Sequence, residues 1–149
     1  MMTFWKNKHI LLTGGGGFLG SHIVENLVKK RGVQKSQIII PRSKDADLRI
    51  WDNCKKATEN ADVVIHLAAR VGGIGFNQKY PGTLFYDNII MGAQLIESAR
   101  LNQVQKFVQV GTVCSYPKYT PVPFKEENLW RVIPKKQMHP MEYRKKPSL

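Results

Sequence analysis

The sequence predicts an α/β protein built on a doubly wound parallel sheet, and three observations carry that reading. Short apolar runs alternate with helical stretches along the chain. A glycine-rich turn, Thr13-Gly14-Gly15-Gly16-Gly17-Phe18-Leu19-Gly20, joins the first run to the first helix. The third run, Asp62-Val63-Val64-Ile65-His66-Leu67-Ala68-Ala69, is apolar nearly throughout, as a strand buried on both faces must be.

At 149 residues, 42% of them hydrophobic, the chain is long enough for a real core. No apolar stretch approaches the roughly 18 residues of a membrane span. Met1 to His9 has no apolar signal-peptide core, so a cytoplasmic location is expected. Cys54 and Cys114 give no disulfide framework, and His9, His22, His66 and His139 show no metal-ligand spacing, so no metal is expected. The net charge of +12 is unevenly spread: six of the 23 basic residues, against one of the 11 acidic, lie in residues 131–149. With no aromatic interleaving and no binding motif, that stretch reads as a solvated tail rather than a nucleic-acid surface.

The elements follow in order. His9–Leu12 is the first strand. Ile23, Leu27 and Val28 recur at helical spacing up to Gly32, a C-cap. Within the turn, Gly14 lets the chain leave the strand tightly, Gly17 lets backbone N–H groups approach a pyrophosphate, and Gly20 lets helix and strand pack closely. The open N–H groups and dipole of the helix start then hold the anion, so a dinucleotide is the expected ligand and the sheet is expected to be of Rossmann type. Gln37–Pro41 is a second strand, β-branched and ended by proline. An acidic residue after this strand accepts bonds from a ribose 2′-OH, whereas arginine accommodates a 2′-phosphate. Arg42 stands there, followed by Ser43 and Lys44, which favours NADP over NAD; the alternative is a merely solvated loop.

Asp47-Leu48 precedes a short helix over Trp51–Asn60. His66, inside the third strand, reads as a satisfied core histidine. Gly72, Gly73 and Gly75 form a second flexible loop. A long helix spans Thr83 to Asn102, with Ile89, Ala93 and Ile96 on one stripe that Met91, Leu95 and Ala99 broaden. Lys106–Gly111 is the fourth strand, which delivers Thr112-Val113-Cys114-Ser115-Tyr116-Pro117-Lys118 to the edge carrying the glycine turn. Pro117, Pro121 and Pro123 mark irregular chain.

The Thr13-Gly14-x-x-Gly17-x-x-Gly20 turn with Leu67-Ala68-Ala69 resembles the extended short-chain dehydrogenase/reductases. Ala69-Arg70-Val71-Gly72-Gly73-Ile74 with Tyr80-Pro81 and Asn88, then Gly111-Thr112-x-Cys114-x-Tyr116-Pro117-Lys118, is similar to the GDP-L-fucose synthase family, in register from about Lys8 to Trp130. The resemblance implies an NADP-dependent enzyme that epimerises GDP-4-keto-6-deoxy-mannose at C3 and C5 and reduces its C4 ketone, working as a homodimer through the helix of Thr83–Asn102 and the helix that bears the family's catalytic tyrosine. It places Gly14, Gly17 and Gly20 on the pyrophosphate, with Phe18 and Leu19 also at the cofactor, Arg42 on the 2′-phosphate, Asp47 and Leu48 beside the adenine, and Leu67, Ala68 and Ala69 under its ribose. Val71, Gly72, Gly73 and Ile74 approach the sugar. Thr112 takes the place of the active-site hydroxyl, and Cys114 that of the epimerisation acid/base, a role a thiol fills when its pKa is tuned toward neutrality. From the residues alone, the alternatives are a core or capping threonine at Thr112 and a small buried apolar residue at Cys114.

The family's Tyr-x-x-x-Lys element is absent: no tyrosine here is followed four positions later by lysine. The expected division is therefore an incomplete dinucleotide-binding domain over 1–130, its sheet truncated after about four strands, and an irregular, non-homologous basic tail over 131–149. The codons beyond Trp130, read one base earlier, allow Asn-x-x-Tyr-x-x-x-Lys, with the tyrosine codon straddling Pro140 and Met141 and the lysine codon Arg144 and Lys145. The tail is thus expected to be a frameshift product and the chain inactive alone. The competing readings are another nucleotide-sugar epimerase or dehydratase, and a non-catalytic NADP-binding module.

Overall fold

The computed structural model describes residues 4–130, apart from the side chain of Cys114. The expected basic tail, with its frameshift reading, lies outside the described residues. The chain divides into two compact units, one running to Val110 and the other starting at Gly111.

In the first unit the order is β1 (Ile10–Thr13), α1 (Phe18–Arg31), β2 (Ile38–Ile39), α2 (Trp51–Thr58), β3 (Val63–His66), α3 (Ile74–Lys79), α4 (Pro81–Leu101) and β4 (Lys106–Gln109). The strands form one parallel sheet in the order β2-β1-β3-β4. Leu11 stands opposite Ile39 on one side and Val64 on the other, and Val64 is opposite Phe107. Because side chains alternate across a strand, the two faces collect different residues. Ile10 and Val63 pack with Leu27 and Val33, beside α1. Leu11 and Val64 pack with Leu48, Cys54, Ala61, Leu95 and Ala99, beside α2 and α4. Helices therefore cover both faces, and the Rossmann-type α/β architecture is the observed one. Each such fully buried Leu or Ile contributes roughly 1.5–3 kcal/mol.

Local chemistry explains the boundaries. Helix α1 ends at Gly32, whose φ of 71° suits a residue without Cβ. The N–H groups of Gly32 and Val33 both return to the Leu27 carbonyl, and Lys29, Lys30 and Arg31 complement the negative end of the dipole. Strand β2 is shorter than the expected Gln37–Pro41. Lys35–Gln37 instead forms a 3-10 turn, and Pro41 has no N–H to extend the ladder.

Where the sequence predicts a flexible glycine loop, Ile74–Lys79 is helical from an N-cap at Gly73. A Cβ on Gly72 would come 2.5 Å from the Phe76 ring, so that glycine serves close packing. In α4 the inward face is Leu84, Asp87, Leu95, Ser98 and Ala99, whereas Ile89, Ala93 and Ile96 are exposed. Thr58 and Ser98 hydroxyls meet at 2.6 Å and Asn102 donates to Thr58, which clasps α2 to α4.

The second unit holds a 3-10 turn over Val113–Ser115, a stacked Tyr116–Phe124 pair at 4.8 Å and a 3-10 turn over Glu126–Trp130. The Thr120 hydroxyl donates to the Pro117 carbonyl at 2.7 Å. No helix among the described residues is long and apolar enough to cross a membrane.

Candidate functional site

The site grows from the glycine turn. Gly14 has φ 69°, and a Cβ there would lie 2.9 Å from the backbone of Leu67 and Ala68. The turn after β1 is thereby seated directly on the turn after β3. Gly17 donates to the Gly14 carbonyl at 3.0 Å, and Ser21 donates to the Gly17 carbonyl at 2.9 Å as the first bond of α1. The N–H groups of Phe18, Leu19 and Gly20 precede that bond. Gly17 makes no side-chain cap and the first turn has no acidic residue, so this helix end is chemically prepared for an anion. Gly20 is buried, and a Cβ on it would come 2.4 Å from the Gly14 carbonyl oxygen.

Beside this turn opens a cleft of about 1120 Å³ at the carboxyl ends of the strands. That volume accommodates a nucleotide-sized ligand. Of the residues expected to hold a dinucleotide, Gly14, Gly17, Arg42, Asp47, Leu48, Leu67, Ala68 and Ala69 line it together. Phe18 (84% exposed) and Leu19 stand on the adjoining helix start, and Gly20 supports the turn from below. The lining reaches Arg70, and Val71, Gly72, Gly73 and Ile74 are exposed beyond it. Thr112 and Cys114 belong to the second unit, where the Thr112 carbonyl accepts from Ser115 N–H at 3.1 Å.

Charge in the cleft is sorted into paired and unpaired groups. Asp47 receives Arg49 Nη2 at 2.7 Å and Nε at 3.0 Å, and these bonds hold its carboxyl below the usual range. Asp87, on α4, receives Arg70 Nη1 on Oδ2 and Arg49 Nη1 on Oδ1 at 3.3 Å. The Arg70 hydrogen bond above all holds Asp87 low, against the opposing effect of burial. Arg42 and Lys44 have no ion-pair or hydrogen-bond partner for their side chains among the described residues. The Arg42 guanidinium lies over Gly16, where a Cβ would come 1.6 Å from its Nη1. Two free cations thus stand beside an anion-ready helix end.

Four roles escaped the sequence reading, those of Thr13, Arg49, Arg70 and Asp87. Thr13 accepts the N–H groups of Leu67 and Ala68 and bonds His66, and Arg49 and Arg70 meet at Asp87. A signal existed for the last: Asp87 falls at helical spacing from Leu84 and Leu95, a charged residue on the core stripe. Among the described residues no group of three or more His, Cys, Asp or Glu could hold a metal ion.

Residues 10–140 match the NAD dependent epimerase/dehydratase family. The chain belongs to that family. Among curated members it is 33% identical to GDP-mannose 3,5-epimerase 1 of Oryza sativa subsp. indica, over 88% of this chain and 39% of that protein. It is 31% identical to GDP-L-fucose synthase of Escherichia coli (strain K12), over 83% of this chain and 38% of the relative. The crystal structure of a GDP-L-fucose synthetase from Naegleria fowleri superposes with a TM-score of 0.73 at 29% identity, covering 86% of this chain and 37% of that one. This family member therefore spans about two fifths of the length of those curated relatives.

Proposed function

We propose that this chain is the cofactor-binding part of an NADP-dependent GDP-sugar epimerase/reductase. The observation that carries the reading is the unpartnered Arg42 and Lys44 pair beside the glycine turn, a cradle for a 2′-phosphate next to a pyrophosphate site. The NADP-bound relative from Naegleria fowleri, 32% identical with a TM-score of 0.68, supports it. Backbone N–H groups around Gly14–Gly20 hold the pyrophosphate, Arg42 and Lys44 the 2′-phosphate, Asp47 and Leu48 flank the adenine, and Leu67–Ala69 pass under the ribose. The nicotinamide supplies hydride for reduction of the sugar's C4 ketone. Val71–Ile74 meet the sugar, Thr112 hydrogen-bonds the C4 oxygen, and Cys114 exchanges the proton at the epimerised carbon. In the complete enzyme the product is GDP-L-fucose, and a second copy of the chain packs on α4.

Alone, the chain has no tyrosine–lysine pair at Tyr-x-x-x-Lys spacing to protonate the ketone oxygen, so turnover of GDP-4-keto-6-deoxy-mannose is expected to be absent. The likeness to GDP-mannose 3,5-epimerases favours, as a second reading, epimerisation without net reduction. Fluorescence titration tests the first. NADPH should bind more tightly than NADH, and Arg42→Ala should cut the difference by about tenfold to a hundredfold, the loss of one charge-assisted phosphate contact. Equal affinities in the unmutated chain overturn the NADP assignment.

A further inference from the structure

Asp87 is only 3% exposed, yet it lies on the core-facing side of α4 among Leu84, Leu95 and Ala99. A carboxylate so buried is retained only with partners. Its two oxygens go to two different arginines, each on its own wall of the cleft: the loops that follow β2 and β3, the strands on either side of β1. Oδ1 accepts from Arg49, in the turn between β2 and α2, and Oδ2 from Arg70, in the turn after β3. Both arginines line the cleft.

The same helix grips each wall a second time. Asn88 accepts from Arg70 N–H at 2.7 Å and donates to the Arg70 carbonyl at 2.9 Å. Gln94 donates to the Arg49 carbonyl at 3.3 Å. Asp47 in turn fixes the Arg49 guanidinium in a fork, with Nε and Nη2 both bonded. A chain of charge-assisted contacts thus runs Asp47–Arg49–Asp87–Arg70, from one wall to the other through a single buried carboxylate.

We infer that Asp87 is a positioning residue that ties the Asp47–Arg49 wall to the Leu67–Arg70 wall and so sets the width of the cleft. Its consequence for the dinucleotide rests on the cofactor reading above, because those walls are where the adenosine would lie. The tie itself is a property of the free chain and can be measured there. It also gives Arg49 and Arg70 a task separate from that of Arg42 and Lys44: they hold the cleft's shape, and the unpaired cations recognise phosphate.

Hydrogen exchange on the full chain without cofactor tests the tie. Asp87→Asn should speed exchange at the amides of residues 47–49 and of residues 68–70 together, and leave Leu11 and Leu12 in β1 unchanged. A loss of global stability alone would speed β1 as well. Unchanged exchange, or a change confined to one wall, overturns the inference.

Should Asp87→Asn fail to fold, Arg49→Gln is the second variant: its effect should cross to residues 68–70, and confinement to its own wall overturns the tie. For cofactor affinity, Arg49→Gln and Arg70→Gln should each raise the NADPH Kd, by about tenfold, and together no further than the larger single effect, since both act through Asp87. Additive effects count against coupling. If the unmutated chain binds no NADPH while exchange still couples the walls, the cofactor reading fails and the positioning role stands.

Discussion

The hydroxyl of Thr13 lies 2.6 Å from Nδ1 of His66, and both groups are buried. Its oxygen already accepts the N–H groups of Leu67 and Ala68, each at 3.2 Å, the first divided with the Thr13 carbonyl, so donors already face both lone pairs. The only proton left to share is its own. His66 is therefore neutral, with its hydrogen on Nε2, and one hydroxyl joins the end of β1 to the turn after β3.

Protonation of His66 would set a second hydrogen against that occupied oxygen, and burial independently pushes its pKa below the ordinary value. With the folded pKa depressed, the unfolded chain binds the proton more readily. The contribution of His66 is complete above its unfolded pKa, near 6.5, and is lost as pH falls toward the folded value. Thermal melts from pH 7.5 down to pH 5 should show a falling Tm, and His66→Leu should flatten that slope. An equal slope in both proteins rejects the assignment.

Thr13→Val removes the shared oxygen while nearly preserving volume. Leaving the Ala68 N–H and His66 Nδ1 without their partner, while Leu67 N–H keeps its bond to the Thr13 carbonyl, should cost on the order of 1–3 kcal/mol in urea denaturation. Thr13→Ser keeps the hydroxyl and should cost less. A larger loss for Ser than for Val contradicts the hydrogen-bond argument.

Two glycines of one turn should respond differently to alanine. Gly20→Ala forces a methyl within 2.4 Å of the Gly14 carbonyl oxygen, backbone that cannot swing away, and should destabilise by about 1–3 kcal/mol or prevent folding. At Gly17 the nearest atom is 3.3 Å away, so alanine should cost only about 0.5–1 kcal/mol, as a poorer N-cap. Similar losses at both sites would remove close packing as the reason for Gly20.

Cys54 is fully buried and donates its thiol to the Leu48 carbonyl at 3.0 Å; desolvation, with the Asp47 charge, pushes its pKa up to about 11. The folded chain at pH 8 should leave it unmodified by a maleimide, and denaturant should release it. Mass spectrometry of the peptide containing Cys54 decides this; rapid labelling in the folded state is the contrary result.

Phe85, Tyr86, Ile89 and Ile96 expose large apolar surface on α4. Free chain should therefore self-associate in light scattering, and Ile89→Lys should shift it toward monomer with little loss of stability, because this face carries none of the core. A monodisperse monomer before mutation is the adverse outcome.

The sheet was legible because β1 and β3 are apolar on both faces and alternate with helical stretches, a combination that points to parallel burial. The glycine turn was legible because backbone approach leaves an absence that sequence records. Less could be read where side chains meet across long separations. Thr13 looks like the first letter of the turn, yet its work is done with residues 53 and more positions away. The stripe of Ile89, Ala93 and Ile96 is visible as periodicity, but periodicity does not say which face is inward, and α4 buries the neighbouring one. Helix α3 was missed because its three nearby glycines resemble a loop until Phe76 is seen packed on Gly72.

The all-parallel sheet also sets a timetable. Thr13 and His66 are 53 residues apart, and Lys8 reaches Gln105 across 97. No described strand pairs with its neighbour through a hairpin, so each pairing must close a long loop before it gains anything. At a ribosome adding about 5–20 residues per second, β1 waits seconds for β3. During that interval Leu11 and the glycine turn lack the neighbour that will bury them. A strand buried along its whole length is thus one that must wait unprotected while the molecule is being made.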